Sequence, residues 1–396
     1  MKTPRIHFVN RFYWPEHPAT GQLLADLAEA LAARGHRISV QTRLPPGSEA
    51  VTEEHAGVSI TRVRATGLGR FSLAGRAVDF LSYLAGVRRR LQETLQAGDI
   101  VVAMTDPPML GAAVTGLVRS RGAKPIHWVQ DIFPEVATAV SGVKAANLLR
   151  GMRDRAWRAA VACVVPGADM AALVRSRGVP GAAVRVCENW APAGVRRVEC
   201  GAWRAEHGLS DAFVLMYSGN LGRVHSFEAV VPVARLLASE PRIQLVFVGG
   251  GARLASLQRE VSAAGLGNLR FLPAQPRSRL AETLSAGDLH LVTLRRGCES
   301  LVFPSKLYGI TGVARPVLAL APDGSELAQL VHDHHLGAAF SGGDPASVAA
   351  FVRTLAGADP EARRRQEEAL DRFAAPHRGP ARAAEVWHRL LLETTG

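Results

Sequence analysis

Apolar residues in this chain fall into short continuous runs, separated by longer stretches where they recur every three or four positions. RIHFVN (5–10) is such a run, and TGQLLADLAEALAARG (20–35) has the spacing of an amphipathic helix that stops at Gly35. RISVQT (37–42) and VSITRVRA (58–65) read as strands. DIVVAMT (99–105), KPIHWVQD (124–131) and ACVVPG (162–167) are apolar on both faces, as strands buried in a parallel sheet are. VRVCENW (184–190) closes the series. The stretch 191–210 breaks the rhythm and reads as a linker. The pattern then restarts with FVLMYSG (213–219), QLVFVGG (244–250), LRFLPA (269–274), LHLVTL (289–294) and PVLALA (316–321). Strands alternating with helices predict an α/β fold of two tandem Rossmann-like domains with mainly parallel sheets facing an interdomain cleft. The expected boundaries are 1–190, a linker at 191–210, 211–375, and a helical tail at 376–396. Ligands of such sheets bind beyond the carboxyl ends of the strands.

Composition narrows the class. With 396 residues, 47% hydrophobic and 21% charged, the chain is long enough for two globular cores and too apolar for disorder. No apolar run reaches the roughly 18–20 residues of a membrane span, and the start runs straight into a strand; the expectation is a cytoplasmic protein. The four cysteines (Cys163, Cys187, Cys200, Cys298) show no CxxC or metal spacing. The net charge of +12 is uneven: residues 1–200 hold 26 basic against 16 acidic side chains, residues 201–396 hold 21 against 19. A basic first half suits an anionic surface. Nucleic acid is disfavoured, since no helix-turn-helix, RNP or zinc signal accompanies the charge. The stretch 70–90, RFSLAGRAVDFLSYLAGVRRR, mixes apolar and basic residues as an interfacial helix does.

Candidate chemistry gathers in the second half. YSGNLGRVHSFE (217–228) is a glycine-rich strand-to-helix turn in which Gly219 lets backbone amides approach a ligand and the following helix aims its positive end there. Asn220 and Arg223 add donors for phosphate oxygens. VGGGARLASLQ (248–258) brings Gly249 and Gly250 into a similar turn, where close packing is an equal reading. The basic residues are nearly all arginine; the lysines are Lys2, Lys124, Lys144 and Lys306 alone. Lys306, in FPSKLYG, is expected with Ser305 in the first turn of a short helix, where a cation opposes the helix dipole unless an anion sits between them. Ser325 and Glu326 open another helix, either as cap and dipole partner or as a carboxylate for sugar hydroxyls. The HDHH run (332–335) reads as a solvated face. No HExxH, GxSxG or DxD is present, so no metal site is called for.

Taken together, FYWPEHPATGQLLADLAEALAARGHRISVQT, YSGN, VGGG, PSKLYGI with RPVLA, and GSELAQLV resemble retaining glycosyltransferases of family four. QDIFPEVA (130–137) and CENWAP (187–192) are similar to strings of the subgroup that builds bacterial cell-surface polysaccharides, such as fucosamine and colanic-acid transferases. The resemblance spans nearly the whole chain in order. It implies the GT-B fold, the donor held by the second domain, the acceptor by the first, and a final helix that crosses back onto the first. It also implies that Lys306 neutralises the diphosphate of a nucleotide sugar, with no cofactor, no metal and no protein nucleophile.

The chain departs from the family pattern where the usual pair of glutamates would stand, at Leu301 and Gly309. Glu299 lies two residues early, and Glu326 is a candidate for the ribose. Asn220 replaces a common arginine, with Arg223 as a substitute, and Asp131 stands where many members have a catalytic histidine. Asp131 and Glu135 either bind sugar or acceptor or cap the next helix, while Thr20 and Gly21 line the acceptor side. The expected activity is transfer of a hexosyl or N-acetylhexosaminyl group. The donor is a nucleotide sugar, UDP-linked ahead of GDP-linked. The acceptor is a lipid-diphosphate-linked glycan or lipopolysaccharide core at an anionic membrane surface, on the inner face of the cytoplasmic membrane. A nucleotide-sugar 2-epimerase and an inactive scaffold of the same fold remain as alternatives.

Overall fold

The computed structural model describes residues 4–15, 18–44, 52–70, 73–142, 144–342 and 344–395. The chain divides into two compact units. Unit 1 comprises Met1–Asn189, Ser300–Val302 and Pro380–Gly396; unit 2 comprises Trp190–Glu299 and Phe303–Gly379.

Unit 1 is built on eight strands: β1 (Arg5–Val9), β2 (Arg37–Arg43), β3 (Thr52–His55), β4 (Val58–Val63), β5 (Ile100–Ala103), β6 (Lys124–Trp128), β7 (Ala162–Val165) and β8 (Val184–Val186). Their order is β3-β4-β2-β1-β5-β6-β7-β8. All pairs are parallel except β3–β4, a hairpin turning through Ala56 and Gly57, both at positive φ. The sequence pattern missed β3 because its residues, TEEH, contain no apolar position. Chain order reverses direction between β1 and β5, which opens a crevice at their carboxyl ends. Of the stretch 70–90, Arg70 ends a 3-10 turn (Leu68–Arg70), residues 71 and 72 lie outside the described residues, and the rest falls in helix Leu73–Thr94. Among the described residues no helix is long and apolar enough to cross a membrane.

The helix Ala381–Thr395 belongs to unit 1 and packs along helix Ala19–Ala32. Its Trp387 is fully buried, with ring centroids 6.0 Å from Phe8 and 5.2 Å from Trp128. Lys124 Nζ donates to Thr394 O, so a cation meets the carbonyl end of that helix.

Unit 2 has six strands, all parallel: β9 (Phe213–Ser218), β10 (Ile243–Val248), β11 (Leu269–Leu272), β12 (Leu289–Thr293), β13 (Val317–Leu320) and β14 (Gly337–Phe340). They lie in the order β11-β10-β9-β12-β13-β14, with the reversal between β9 and β12. β10 is buried at every residue, which is why its run is apolar throughout. One face of the sheet carries Tyr217, Phe227 and Phe247 packed with Val348 and Val352; the other carries Trp203, Val214, Met216 and Val246. The stretch 191–210 is therefore more than a linker. It holds helix Gly201–Glu206, and the fully buried Trp203 makes it part of this core.

Candidate active site

The carboxyl ends of β9 and β10 run into two turns pressed together. Gly219 N donates to Val248 O at 2.9 Å, Leu221 N to Gly250 O at 2.7 Å, and Arg253 N to Leu221 O at 3.0 Å. Gly219 and Gly249 both have φ of 131°. A Cβ on Gly249 would lie 2.3 Å from Gly219 O, and one on Gly251 would lie 2.5 Å from Asn220 Oδ1. Close approach of the turns thus accounts for Gly249 and Gly251, while Gly219, Asn220 and Gly250 face solvent. The helix expected directly behind Gly219 is not there; the next one is Val230–Leu236. Leu221 and Phe227 turn inward instead, and their burial holds the intervening segment out of helical form.

Lys306 closes this turn from below. Its Nζ sits 3.6 Å over the Tyr217 ring centroid and 3.5 Å from where a Gly219 Cβ would be. The Nζ is buried and has no hydrogen-bond partner among the described residues. Desolvation pushes its pKa down to about 7. The aromatic face gives the ammonium some compensation, of order 1–2 kcal/mol when desolvated. Around it the groups are neutral. Tyr217 donates its hydroxyl to Asn220 O at 2.7 Å, and burial raises its pKa. His225 Nδ1 lies 2.7 Å from Thr293 O, and burial together with the charge of Lys306 brings its pKa down to about 4. His290 is buried against Leu284 O, its pKa lowered to about 3, first by desolvation. A buried cation held by a ring, with no anion beside it among the described residues, is suited to pair with an anionic oxygen.

Lys306 is the first residue of helix Lys306–Gly312, with Ser305 at its N-cap making no side-chain cap bond. The amides of Leu307 and Tyr308 already donate to Pro304 O and Ser305 O. The expected sharing of an anion between the ammonium and a full set of free amides is therefore reduced.

In unit 1 the reversal between β1 and β5 is spanned by an ion pair, Arg11 Nε to Asp106 Oδ1 at 2.8 Å. The Arg11 guanidinium also lies over Phe12 and Phe80. Asp131 follows β6 and pairs its backbone with Val302, while Ile132 N donates to Leu301 O at 2.8 Å. The Asp131 side chain is exposed at the mouth of a small recess of about 30 Å³ shared with Thr105, His127 and Arg153. Desolvation first, then the charge of Asp106, pushes its carboxyl up to about 6.

Glu135 faces Arg153 (2.8 Å), Arg150 (3.0 Å) and Arg177 (3.4 Å). Burial alone would raise its carboxyl, but the Arg153 hydrogen bonds and the arginine charges hold it below the usual range. Its oxygens are occupied by guanidinium groups. Thr20 is half-buried in the first turn of helix Ala19–Ala32, and Gly21 is buried where a Cβ would meet Phe12 at 3.1 Å. Ser39, His7 and Asp99 form a chain in hydrolase order, with 2.8 Å and 3.3 Å contacts, but all three are buried within the sheet and form a core network.

Residues 20–190 match the glycosyl transferase 4-like domain, and residues 201–372 match the glycosyl transferases group 1 family. The chain is a glycosyltransferase. It is 26% identical over 291 residues to the probable glycosyltransferase WbjE of Pseudomonas aeruginosa, covering 70% of each chain. It is 25% identical to the putative colanic acid biosynthesis glycosyl transferase WcaI of Escherichia coli K12, covering 80% of this chain and 83% of that one. Its fold is similar to that of Anabaena HepE, solved in complex with UDP-glucose. There the TM-score is 0.74 at 15% identity, covering 98% of both chains.

The remaining positions of this glycosyltransferase sort as follows. Glu299 Oε1 accepts from Gly297 N at 2.9 Å, a bond internal to its loop. Ser325 is a true N-cap, accepting from Ala328 N, and Glu326 follows it half-buried in the first turn. Arg223 is exposed on the turn. Gly309 and Leu301 are buried, so neither position offers the transferase a carboxylate at the surface. Sequence reasoning missed Tyr217 and His225 as walls of the Lys306 socket, and Arg11 and Asp106 at the unit 1 crevice. The signal for the latter was available: each follows a strand flanking the reversal.

Proposed function

We propose that this glycosyltransferase is retaining. It would take a sugar from a nucleoside diphosphate donor, UDP ahead of GDP, and pass it to a lipid-diphosphate-linked glycan or lipopolysaccharide core during bacterial surface-polysaccharide assembly. The name of the colanic-acid relative supports the pathway class, and the UDP-glucose complex of a fold neighbour supports the donor class. The observation that carries the reading is the buried Lys306 Nζ, which has no hydrogen-bond partner among the described residues. A buried cation left unpaired is costly, and a diphosphate oxygen reverses that cost.

In this scheme the C1–O bond to the diphosphate breaks as Lys306 pairs with the charge growing on the leaving oxygen. The acceptor hydroxyl attacks C1 from the same face, and its proton goes to that departing phosphate oxygen. The configuration is kept with no covalent enzyme intermediate and no metal. Gly219, Asn220, Gly250 and Arg223 would contact the diphosphate, with Ser305 beside Lys306. Glu326, after Ser325, would take the ribose, and Glu299 the sugar. Asp131, Thr20 and Gly21 would face the acceptor, with Glu135 ordering the arginines behind them.

The test is Lys306→Ala, expected to cut turnover ~100-fold or more and to weaken UDP binding, without lowering the unfolding midpoint. Unchanged UDP affinity would overturn the assignment. Absence of any thermal shift with UDP, GDP or ADP would favour a scaffold, and an epimerised nucleotide sugar formed without acceptor would favour an epimerase.

A further inference from the structure

Helix Leu110–Ser120 packs against helix Leu73–Thr94 on one side and helix Arg150–Arg158 on the other, so the three form one layer on the unit 1 sheet. Each runs from the carboxyl rim of the strands back toward their amino ends. Along Leu73–Thr94 the exposed large apolar side chains among the described residues are Val78 and Leu81, the latter 65% exposed, followed two turns later by exposed Arg88 and Arg89. At the third helix Leu148 (86% exposed), Leu149 and Met152 stand toward the rim, followed by exposed Arg155 and Arg158. The middle helix exposes Gly116 and then Arg119. The flanking helices thus repeat one order, large apolar side chains at the rim and arginine behind, and the middle helix adds its arginine to the rear band.

The charges in that band are not neutralised locally. Arg119 and Arg155 have no carboxylate partner among the described residues, and Arg88 and Arg158 donate to the carbonyls of Ala113 and Arg177. Arg89 alone is paired, with Glu93 at 3.0 Å. A second copy docked face to face would bring like charges together. An apolar edge backed, within about 10 Å along the helices, by guanidinium groups that no carboxylate neutralises matches the depth profile of a lipid headgroup zone.

We propose that this three-helix face seats unit 1 on an anionic bilayer, with Leu81, Leu148 and Met152 entering the headgroup region and Arg88, Arg119, Arg155 and Arg158 pairing with lipid phosphates. This deepens the functional reading, which calls for a membrane-borne acceptor. Its test uses vesicles and no sugar substrate, so either can fail alone.

The full chain is sedimented with vesicles of phosphatidylcholine, alone or mixed three to one with phosphatidylglycerol. Binding to the anionic vesicles is expected to be at least ~10-fold stronger, as each nearby cation adds to the attraction. Leu148→Asp with Met152→Asp, or Arg155→Glu with Arg158→Glu, should lower it ~10-fold or more. Leu392→Asp removes another exposed leucine, from helix Ala381–Thr395, which packs with Ala19–Ala32; right-handed crossovers place that pair on the opposite face, so binding should hold.

A fluorophore on Leu148→Cys, in a Cys200→Ser background because the other cysteines are buried, should shift to the blue on adding anionic vesicles. Variants that bind as the parent chain does, or a parent chain that ignores anionic lipid, would overturn the proposal. A lipid-free dimer dissolved by Leu148→Asp would reassign the face to a second copy.

Discussion

Lys306 makes a prediction that needs no substrate. Burial lowers its pKa from 10.5 to about 7, so between those values the unfolded chain holds a proton that the folded chain has released. Stability therefore rises with pH across that window, and the penalty is fully present below about 7. Lys306→Met should raise the unfolding midpoint at pH 6, by the equivalent of a few kcal/mol, and the gain should fade toward pH 10.5. Binding has the opposite dependence on protonation, because a diphosphate selects the ammonium form. Titration calorimetry with UDP should show affinity falling as pH rises from 7.5 to 9.5, up to ~10-fold per pH unit, where the phosphate itself stays ionised. Lys306→Arg, fixed in charge, should bind UDP with no such fall. The adjoining glycines give a paired contrast. Gly249→Ala drives a Cβ into Gly219 O at positive φ and should cost about 2 kcal/mol or more. Gly250→Ala meets nothing within 4 Å, and thermal unfolding should hardly register it.

At the scale of elements, Glu135 ties helix Glu135–Ser141 to Arg150 and Arg153 of the helix Arg150–Arg158 and to Arg177 after helix Ala168–Ser176. Glu135→Ala leaves Arg153, 4% exposed, with Asp154 at 2.7 Å as its remaining carboxylate, and takes the shared carboxylate from Arg150 and Arg177 as well. It should cost about 3 kcal/mol in urea unfolding, and Glu135→Gln should recover part of that by keeping one hydrogen bond. Strands of this kind were legible where both faces are apolar, as in β5, β7 and β10. β3 and β14 were not: TEEH is polar throughout, and GAAF is too small and short to stand out. Helix Gly201–Glu206 was hidden for another reason. Trp203 is its one large apolar residue, so no period appears, and only the tertiary core explains its burial.

For the whole molecule, a lone lysine in an arginine-rich second half was visible in the sequence, as was the glycine turn. That both serve one diphosphate came only from the family resemblance, and the walls around Lys306 were not visible, because Tyr217 and His225 reach it only through the β9–β12 reversal. Arg11 and Asp106 converge the same way beside β1 and β5. Two crevices of one design thus carry opposite polarity: an unpaired cation in unit 2, and in unit 1 a neutralised arginine beside a carboxyl of raised pKa. Under the proposed function, that difference puts the anionic donor on unit 2. Hydrogen exchange on the full chain with saturating UDP should slow first in residues 217–225, 249–253 and 305–308. The β1 and β5 ends around Arg11 and Asp106 should change less, since their cation is already spent on a carboxylate. Protection confined to the unit 1 crevice would place the nucleotide on the wrong unit and remove the role given to Lys306. Repeating the measurement with Lys306→Ala separates the two cases, because protection in unit 2 should weaken while any in unit 1 stays as it was.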